Sequence, residues 1–390
     1  MNHVMARWKS LPDAAKSSIA FAISAFVIKG IAFFTTPVFT RLLNTDQYGL
    51  VATYNSWVSI LEVVALLGMT SAGVFNVGLK DHRSDRSQFI SSILVLCNII
   101  TLVAFVFLLI LKIPFGKDFV LPTNLLVIMF LNFIFGPAQI FWITRQRYEY
   151  KYKWAFCISI LSAVLSQIAA IWAILQCENT FSSLGSVKIW SSNLALLAIE
   201  IPIYFMLLWK GRSFINFSIW KTTLVFALPL LPHYLAQHVM NSSDRIMIAD
   251  LHSSTGAAIY SVVSSISMIT TILWSAINAS LVPYTFEKIQ KGDSRTIDNV
   301  IIPLIGAYAV MCVAVTLVAP EILAILAPKE YSGGVYAVPP IAATAFTAAL
   351  YNIYANIEFY YKKSWRIAMA TIVAALTNIS LNYLLIPKYG

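Results

Sequence analysis

The sequence predicts an all-α polytopic membrane protein of about eleven transmembrane helices, and three observations predict it. Of the 390 residues, 59% are apolar and only 11% charged, whereas a soluble domain carries about a quarter charged residues. Apolar runs of about 20 residues, enough to cross roughly 30 Å of hydrocarbon, recur from one end of the chain to the other. The basic residues sort into alternate connections between these runs.

The first predicted helix, 17–39, follows Arg7, Lys9 and Lys16 and lacks a small-residue cleavage site. It reads as an uncleaved signal anchor behind a cytoplasmic N-terminus at 1–16. Apolar runs at 50–74, 88–111, 120–143, 154–175 and 187–209 complete an N-terminal lobe spanning 17–209. A cytoplasmic linker at 210–219 leads to a C-terminal lobe, 220–390, with helices at 220–248, 256–284, 300–326, 334–360 and 365–386. The longest polar connections, Lys80 to Ser87 and Phe286 to Asn299, fall below the roughly 40 residues an independent domain needs. That argues against an enzyme with an extramembrane catalytic head.

The net charge of +10 is spread in small groups, so topology accounts for it better than nucleic acid, and no nucleic-acid partner is expected. One set of connections holds Arg7, Lys9, Lys16; Lys80, Arg83, Arg86; Arg145, Arg147, Lys151, Lys153; Lys210, Arg212, Lys221; Lys288, Lys291, Arg295; and Lys362, Lys363, Arg366. The other holds the sparser Arg41, Lys112, Lys117, Lys188, Arg245, Lys329 and Lys388. The excess marks the cytoplasmic side and puts the N-terminus inside. Cys97, Cys157 and Cys312 lie in apolar runs and Cys177 at the edge of one, without CxxC spacing; they read as unpaired packing residues.

A faint repeat links the halves. Thr40-Arg41-Leu42-Leu43, Tyr48-Gly49-Leu50 and Tyr54 with Ser56 and Ser59 match Asp244-Arg245-Ile246-Met247, Gly256 and Tyr260-Ser261 with Ser264 and Ser265, about 205 residues on. An even number of helices separates the segments, so the halves are expected to share orientation, as in transporters built from parallel repeats. Two six-helix lobes require a twelfth helix, yet the sequence stops at Pro387-Lys388-Tyr389-Gly390. The reading is therefore of an incomplete second bundle.

These residues, with Leu228-Pro229, Pro232 and the Asn378 to Tyr383 stretch before Leu385-Ile386-Pro387, resemble the Wzx-like O-antigen and capsule flippases. Those belong to the multidrug/oligosaccharidyl-lipid/polysaccharide superfamily. The resemblance implies two pseudo-symmetric, MATE-like bundles around a cavity that opens alternately to each side. It also implies transport of an undecaprenyl-diphosphate-linked oligosaccharide, an O-antigen or capsule repeat unit for lipopolysaccharide or capsule, from the cytoplasmic to the outer leaflet of a bacterial inner membrane. Membrane lipids, that glycolipid, and polysaccharide polymerase and chain-length proteins are the partners it suggests. A polar cavity is the physical requirement, because a sugar head group loses its hydrogen bonds in hydrocarbon.

Charges at membrane depth cost about 2.5–3.5 kcal/mol each on insertion scales and are functional candidates. Lys29 is the base placed mid-membrane, a candidate for the diphosphate; the plainer reading is a structural pair with Glu62. Arg41 and Arg245 occupy matching repeat positions and are further diphosphate candidates, or anchors that cap carbonyls and lipid phosphates. Glu62, Glu200, Asp244 and Glu358 are candidates for coupling to H⁺ or Na⁺, with a local ion pair to Arg245 the simpler role for Asp244. Pro229 and Pro232 should kink or unwind helix 7, leaving a hinge or cavity-lining carbonyls. Tyr54, Trp57, Tyr234, Tyr260 and Trp274 are the candidate sugar contacts, set against ordinary helix packing. His233 and His238, about 140° apart on a helix, make no metal site, and no metal, cofactor or catalytic residue is expected.

Three rival functions share the hydropathy. A drug or metabolite exporter of the same superfamily would favour acidic sites for cationic cargo. A membrane polymerase or glycosyltransferase would need a large charged outer loop. A non-transporting scaffold or scramblase would fit an incomplete second bundle.

Overall fold

The computed structural model describes residues 12–116, 120–177, 183–292, 294–361 and 364–389. Arg7, Lys9, Lys117, Lys362 and Lys363 of the charge pattern lie outside them. The helices are α1 (Asp13–Leu42), α2 (Thr45–Ala65), α3 (Ala72–Asp81), α4 (Arg86–Phe115), α5 (Thr123–Tyr148), α6 (Tyr152–Cys177) and α7 (Leu184–Gly211). They continue with α8 (Phe217–Ala227), α9 (Leu231–Leu251), α10 (Ser254–Gln290), α11 (Ser294–Leu317), α12 (Ala319–Leu326), α13 (Val338–Tyr360) and α14 (Ser364–Tyr389). Short 3₁₀ segments at Leu228–Leu230 and Lys329–Ala337 join α8 to α9 and α12 to α13.

Among the described residues, 9 helices are long and apolar enough to cross a membrane. The second and seventh expected spans fall outside that set. The second stops at Ala65, where Leu67 and Gly68 turn through positive φ, and α2 carries Asp46, Asn55, Ser56, Ser59 and Glu62. The seventh is cut at the 3₁₀ turn holding Pro229, because a proline supplies no amide hydrogen to the helix ladder. Its second half, α9, mixes apolar residues with His233, Gln237, His238, Asn241, Ser242, Ser243, Asp244, Arg245 and Asp250.

The chain packs as two compact units: Met1–Thr35 with Tyr54–Ser242, and Thr36–Thr53 with Ser243–Gly390. In the first, α4 shows how such a helix is solvated. Ile90, Ile93, Leu94 and Cys97 are buried on one face, while Val103, Val106, Phe107 and Ile110 are exposed farther along. Both faces are apolar, so the outer one suits lipid rather than water. Lipid tails remove most of the hydrophobic drive for helix association, leaving close packing to hold the bundle. Phe75 stacks on Phe141 at 4.4 Å and 3°, and Gly78 admits the Phe89 ring to within 2.0 Å of where a Cβ would stand. Gln139 Nε2 donates to Ser162 Oγ at 2.8 Å, tying α5 to α6.

The second unit centres on α10, α11 and α13, where Trp274 meets Tyr308 at 4.9 Å among Ile301, Ala349 and Ile353. Gly334 lets the 3₁₀ segment lie on Ile259 and Val263 of α10. The corner 36–53 belongs to this unit. Thr40 Oγ1 donates to the Leu326 carbonyl at 2.7 Å, and Tyr48 meets Tyr331 edge-on at 6.2 Å. Thr255 Oγ1 donates to Asp46 at 2.7 Å. A Cβ at Gly49 would stand 2.0 Å from the Ser254 carbonyl oxygen. The first part of the earlier repeat segment, through Gly49 and Leu50, thus packs in one unit with the later segment, while Tyr54, Ser56 and Ser59 belong to the other unit.

Candidate functional site

Two polar clusters stand out, one in each unit. In the second unit, Ser253 caps α10 by accepting from the Gly256 amide, which starts the helix so that Tyr260 lies one to two turns in. Asn378 and Asn382, four residues apart, share a face of α14. Asp244 of α9 accepts from Tyr260 Oη at 2.8 Å, Asn378 Nδ2 at 3.1 Å and Asn382 Nδ2 at 2.6 Å. Ser243 Oγ donates to Asn378 Oδ1 at 3.1 Å. Asp244, Tyr260 and Asn382 each lie about 10 Å in from the nearer end of their helices. Two of these helices, α10 and α14, are apolar enough to cross a membrane, where an unpartnered carboxylate would be costly. The cluster goes well beyond the neighbour pair with Arg245, whose guanidinium lies 5.8 Å from the Tyr260 ring centre.

The carboxamides at 378 and 382 were not singled out as site residues from the sequence. Their signal was two asparagines at i and i+4 in a helix apolar enough to cross a membrane.

In the first unit, Glu200 of α7 is buried, and its Oε2 meets no hydrogen-bond partner. Gly136 of α5 makes room for it, with 3.5 Å from a built Cβ to Glu200 Oε1. Glu62 is its electrostatic neighbour. Among the described residues neither carboxylate has a cationic partner; the Lys29–Glu62 pair allowed by the sequence is not formed, and Lys29 is exposed on α1. The missing partner follows from register, since Lys29 occupies an outward-turned position of α1.

The other sequence candidates have varied surroundings. Arg41 donates to the carbonyls of Pro37 at 2.9 Å and Ile325 at 3.0 Å, satisfying the end of α12, as a cation at a helix C-terminus does. Glu358 pairs with Arg366 at 3.5 Å. Tyr54 and Trp274 are 2% and 5% exposed, leaving a sugar no ring face in this structure. Tyr234 packs over Gly68, while Trp57 and Tyr260 are half-buried. Pro229 lies in the 3₁₀ turn and Pro232 in the first turn of α9, so the interruption expected in the 220–248 run is present. His238 Nδ1 shares a 2.8 Å hydrogen bond with Ser59. No group of histidine, cysteine, aspartate or glutamate side chains suited to a metal occurs among the described residues.

Comparisons place this arrangement among known proteins. The profile of a family described as polysaccharide biosynthesis protein matches residues 14–290. A protein of the Lsg locus of Haemophilus influenzae is 18% identical over 381 residues, covering 94% of this chain and 89% of its own. Among solved structures, a multidrug resistance MATE family transporter of the MOP superfamily in its inward-facing conformation superposes with a TM-score of 0.63. That pair is 13% identical, over 91% of this chain and 88% of the other. An outward-facing MATE transporter gives 0.58 at 14% identity, over 97% and 89%. At such identities the likeness shows the fold, which is MATE-like.

Proposed function

We propose that this chain, which belongs to the polysaccharide biosynthesis protein family, is a flippase. Its cargo is an undecaprenyl-diphosphate-linked oligosaccharide, an O-antigen or capsule repeat unit. It carries that cargo from the cytoplasmic to the outer leaflet of a bacterial inner membrane by alternating access, and it is a transporter rather than an enzyme. The observation that carries this reading is the hydrogen-bonded set around Asp244, which joins α9 to α10 and α14, two helices apolar enough to cross a membrane. Such a polar set is expensive unless a water-filled path or a cargo uses it.

Two features supply the rest. Neither α2 nor α9 is among the helices apolar enough to cross a membrane alone, which suits walls of a wet passage, and Arg245, close to the Asp244 set, offers a cationic donor for a diphosphate. The break at Pro229 and Pro232 gives α9 a joint about which to move. Asp244, and the Glu62 and Glu200 pair, take the counter-charge of H⁺ or Na⁺ as the driving ion. Three neutral donors on Asp244 leave its negative charge available to a cation.

Complementation of a flippase-deficient strain tests the reading. Surface polysaccharide should reappear with the intact chain. Its absence, from cells in which the protein accumulates in the membrane, rejects the reading; export of cationic drugs by the same cells favours the multidrug alternative.

A further inference from the structure

Where α4 begins and α5 and α7 end, the first unit has a cleft of about 410 Å³ that the transport reading does not use. It is lined by Arg83, Arg86, Arg145, Lys210 and Arg212, against Asp85 and Glu149. Glu149 is already saturated. Arg86 reaches its Oε1 at 3.3 Å and Arg145 the same oxygen at 2.9 Å, while Lys151 reaches Oε2 at 2.8 Å. Burial alone would raise the Glu149 carboxyl, but the bonds from Lys151 and Arg145 hold it down at about 2. Arg145 Nη1 also donates to Ser87 Oγ at 3.0 Å, and the Arg86 guanidinium lies 5.0 Å over the Tyr148 ring.

Arg83, Lys210 and Arg212 are different. Each is exposed, and no side-chain hydrogen bond or ion pair is made by any of them among the described residues. Their placement is fixed by backbone. Gly211 abuts the start of α4, where a Cβ would fall 2.2 Å from Ser91 Oγ and 2.3 Å from the Ser87 carbonyl. Arg212 then turns in the left-handed conformation at φ 52°, and the Ser213 carbonyl accepts from Ser91 Oγ at 2.9 Å. Dispersed surface lysines that only set topology need no such close packing. The first residues of α4, Arg86 to Gln88, also line this cleft, and a helix N-terminus favours an anion.

The geometry points to a phosphate-binding site in this cleft, in which Arg83, Lys210 and Arg212 take a phosphomonoester or diphosphate while Glu149 holds Arg86 and Arg145 in place. The ligand chemistry is shared by a lipid headgroup at the membrane surface and by a free phosphate. The site stands independently of what the protein transports.

The test uses the full chain and two probes. Inorganic pyrophosphate is titrated into the detergent-solubilised protein by calorimetry, and phosphatidic acid is offered in phosphatidylcholine nanodiscs and read by native mass spectrometry. The triple variant Arg83→Ala, Lys210→Ala, Arg212→Ala should weaken the responding probe by about tenfold or more, since a hydrogen bond to a charged group carries roughly that factor. The control Lys80→Ala, Lys153→Ala, Lys221→Ala removes the same charge outside the cleft and should change it by less than about twofold. Response to pyrophosphate identifies a free phosphate as ligand, and response to phosphatidic acid alone identifies a lipid. Binding of neither probe, or equal weakening in both variants, overturns the proposal. If the triple variant does not accumulate, Lys210→Gln carries the test, with about a threefold loss expected and no change contradicting the proposal.

Discussion

Asn382 donates to Asp244 over 2.6 Å, joining two residues 138 positions apart in the chain. The bond links α14 to α9, and Asn378 and Tyr260 complete the set. Because all three donors are neutral, the carboxylate is held without being neutralised. That distinguishes the cluster from the Glu358–Arg366 pair at 3.5 Å, where the charge is already spent on its neighbour.

Asp244→Asn removes the charge, and an amide oxygen can still accept from Asn378 and Asn382 while the new NH2 faces the Tyr260 hydroxyl. Surface polysaccharide in the complemented strain should fall by about tenfold or more, while membrane accumulation stays within about twofold. Quantitative immunoblotting beside glycan staining checks it. Equal loss of protein and polysaccharide would mark Asp244 as structural only.

Gly49→Ala should destabilise the second unit by about 1–3 kcal/mol, the typical cost of overpacking. The added Cβ meets the backbone of Ser254 at 2.0 Å, and a carbonyl cannot swing aside as a side-chain tip can. Thermal unfolding in detergent should show the loss; Gly30→Ala, where nothing lies within 4 Å, should be close to neutral.

The pattern of apolar runs made most of the architecture legible, because a helix in lipid announces itself by length and hydropathy alone. What the pattern hid was the interruption of helices. Pro229 and Pro232 signalled one break, but the turn at Leu67 and Gly68 lies in an unbroken apolar run and carries no proline. At the site, Asp244 and Tyr260 were readable from the repeat. Asn378 and Asn382 were visible only as a motif, since pairing across 134 and 138 residues is a property of packing. Lys29 shows the converse: its position in the middle of a run was legible, while the face it occupies was not.

Glu149 predicts a pH signature. Its folded-state carboxyl lies at about 2, below the 4.5 of an ordinary glutamate. Stability from this group is therefore fully present above about pH 4.5 and is lost as the pH falls toward 2. Glu149→Gln should lower stability near neutral pH by about 1–2 kcal/mol, because three cations lose their shared carboxylate. The gap from the intact protein should narrow on acidification. A constant gap from pH 6 down to pH 3 in thermal melts would contradict the assignment.

Glu200→Gln relieves a buried carboxylate with an unsatisfied oxygen beside Glu62. Stability should rise by about 1–3 kcal/mol as polysaccharide export falls. A variant both more stable and fully active would exclude Glu200 from ion coupling.

The most direct test of the transport claim is reconstitution. The purified chain is placed in liposomes carrying a fluorescent undecaprenyl-diphosphate oligosaccharide in the inner leaflet, and an impermeant lectin reports sugar arriving outside. The account predicts protein-dependent appearance of sugar, accelerated by a proton or sodium gradient and lost in Asp244→Asn. Sugar that stays inside under every gradient, with protein shown to be folded and inserted, would contradict it.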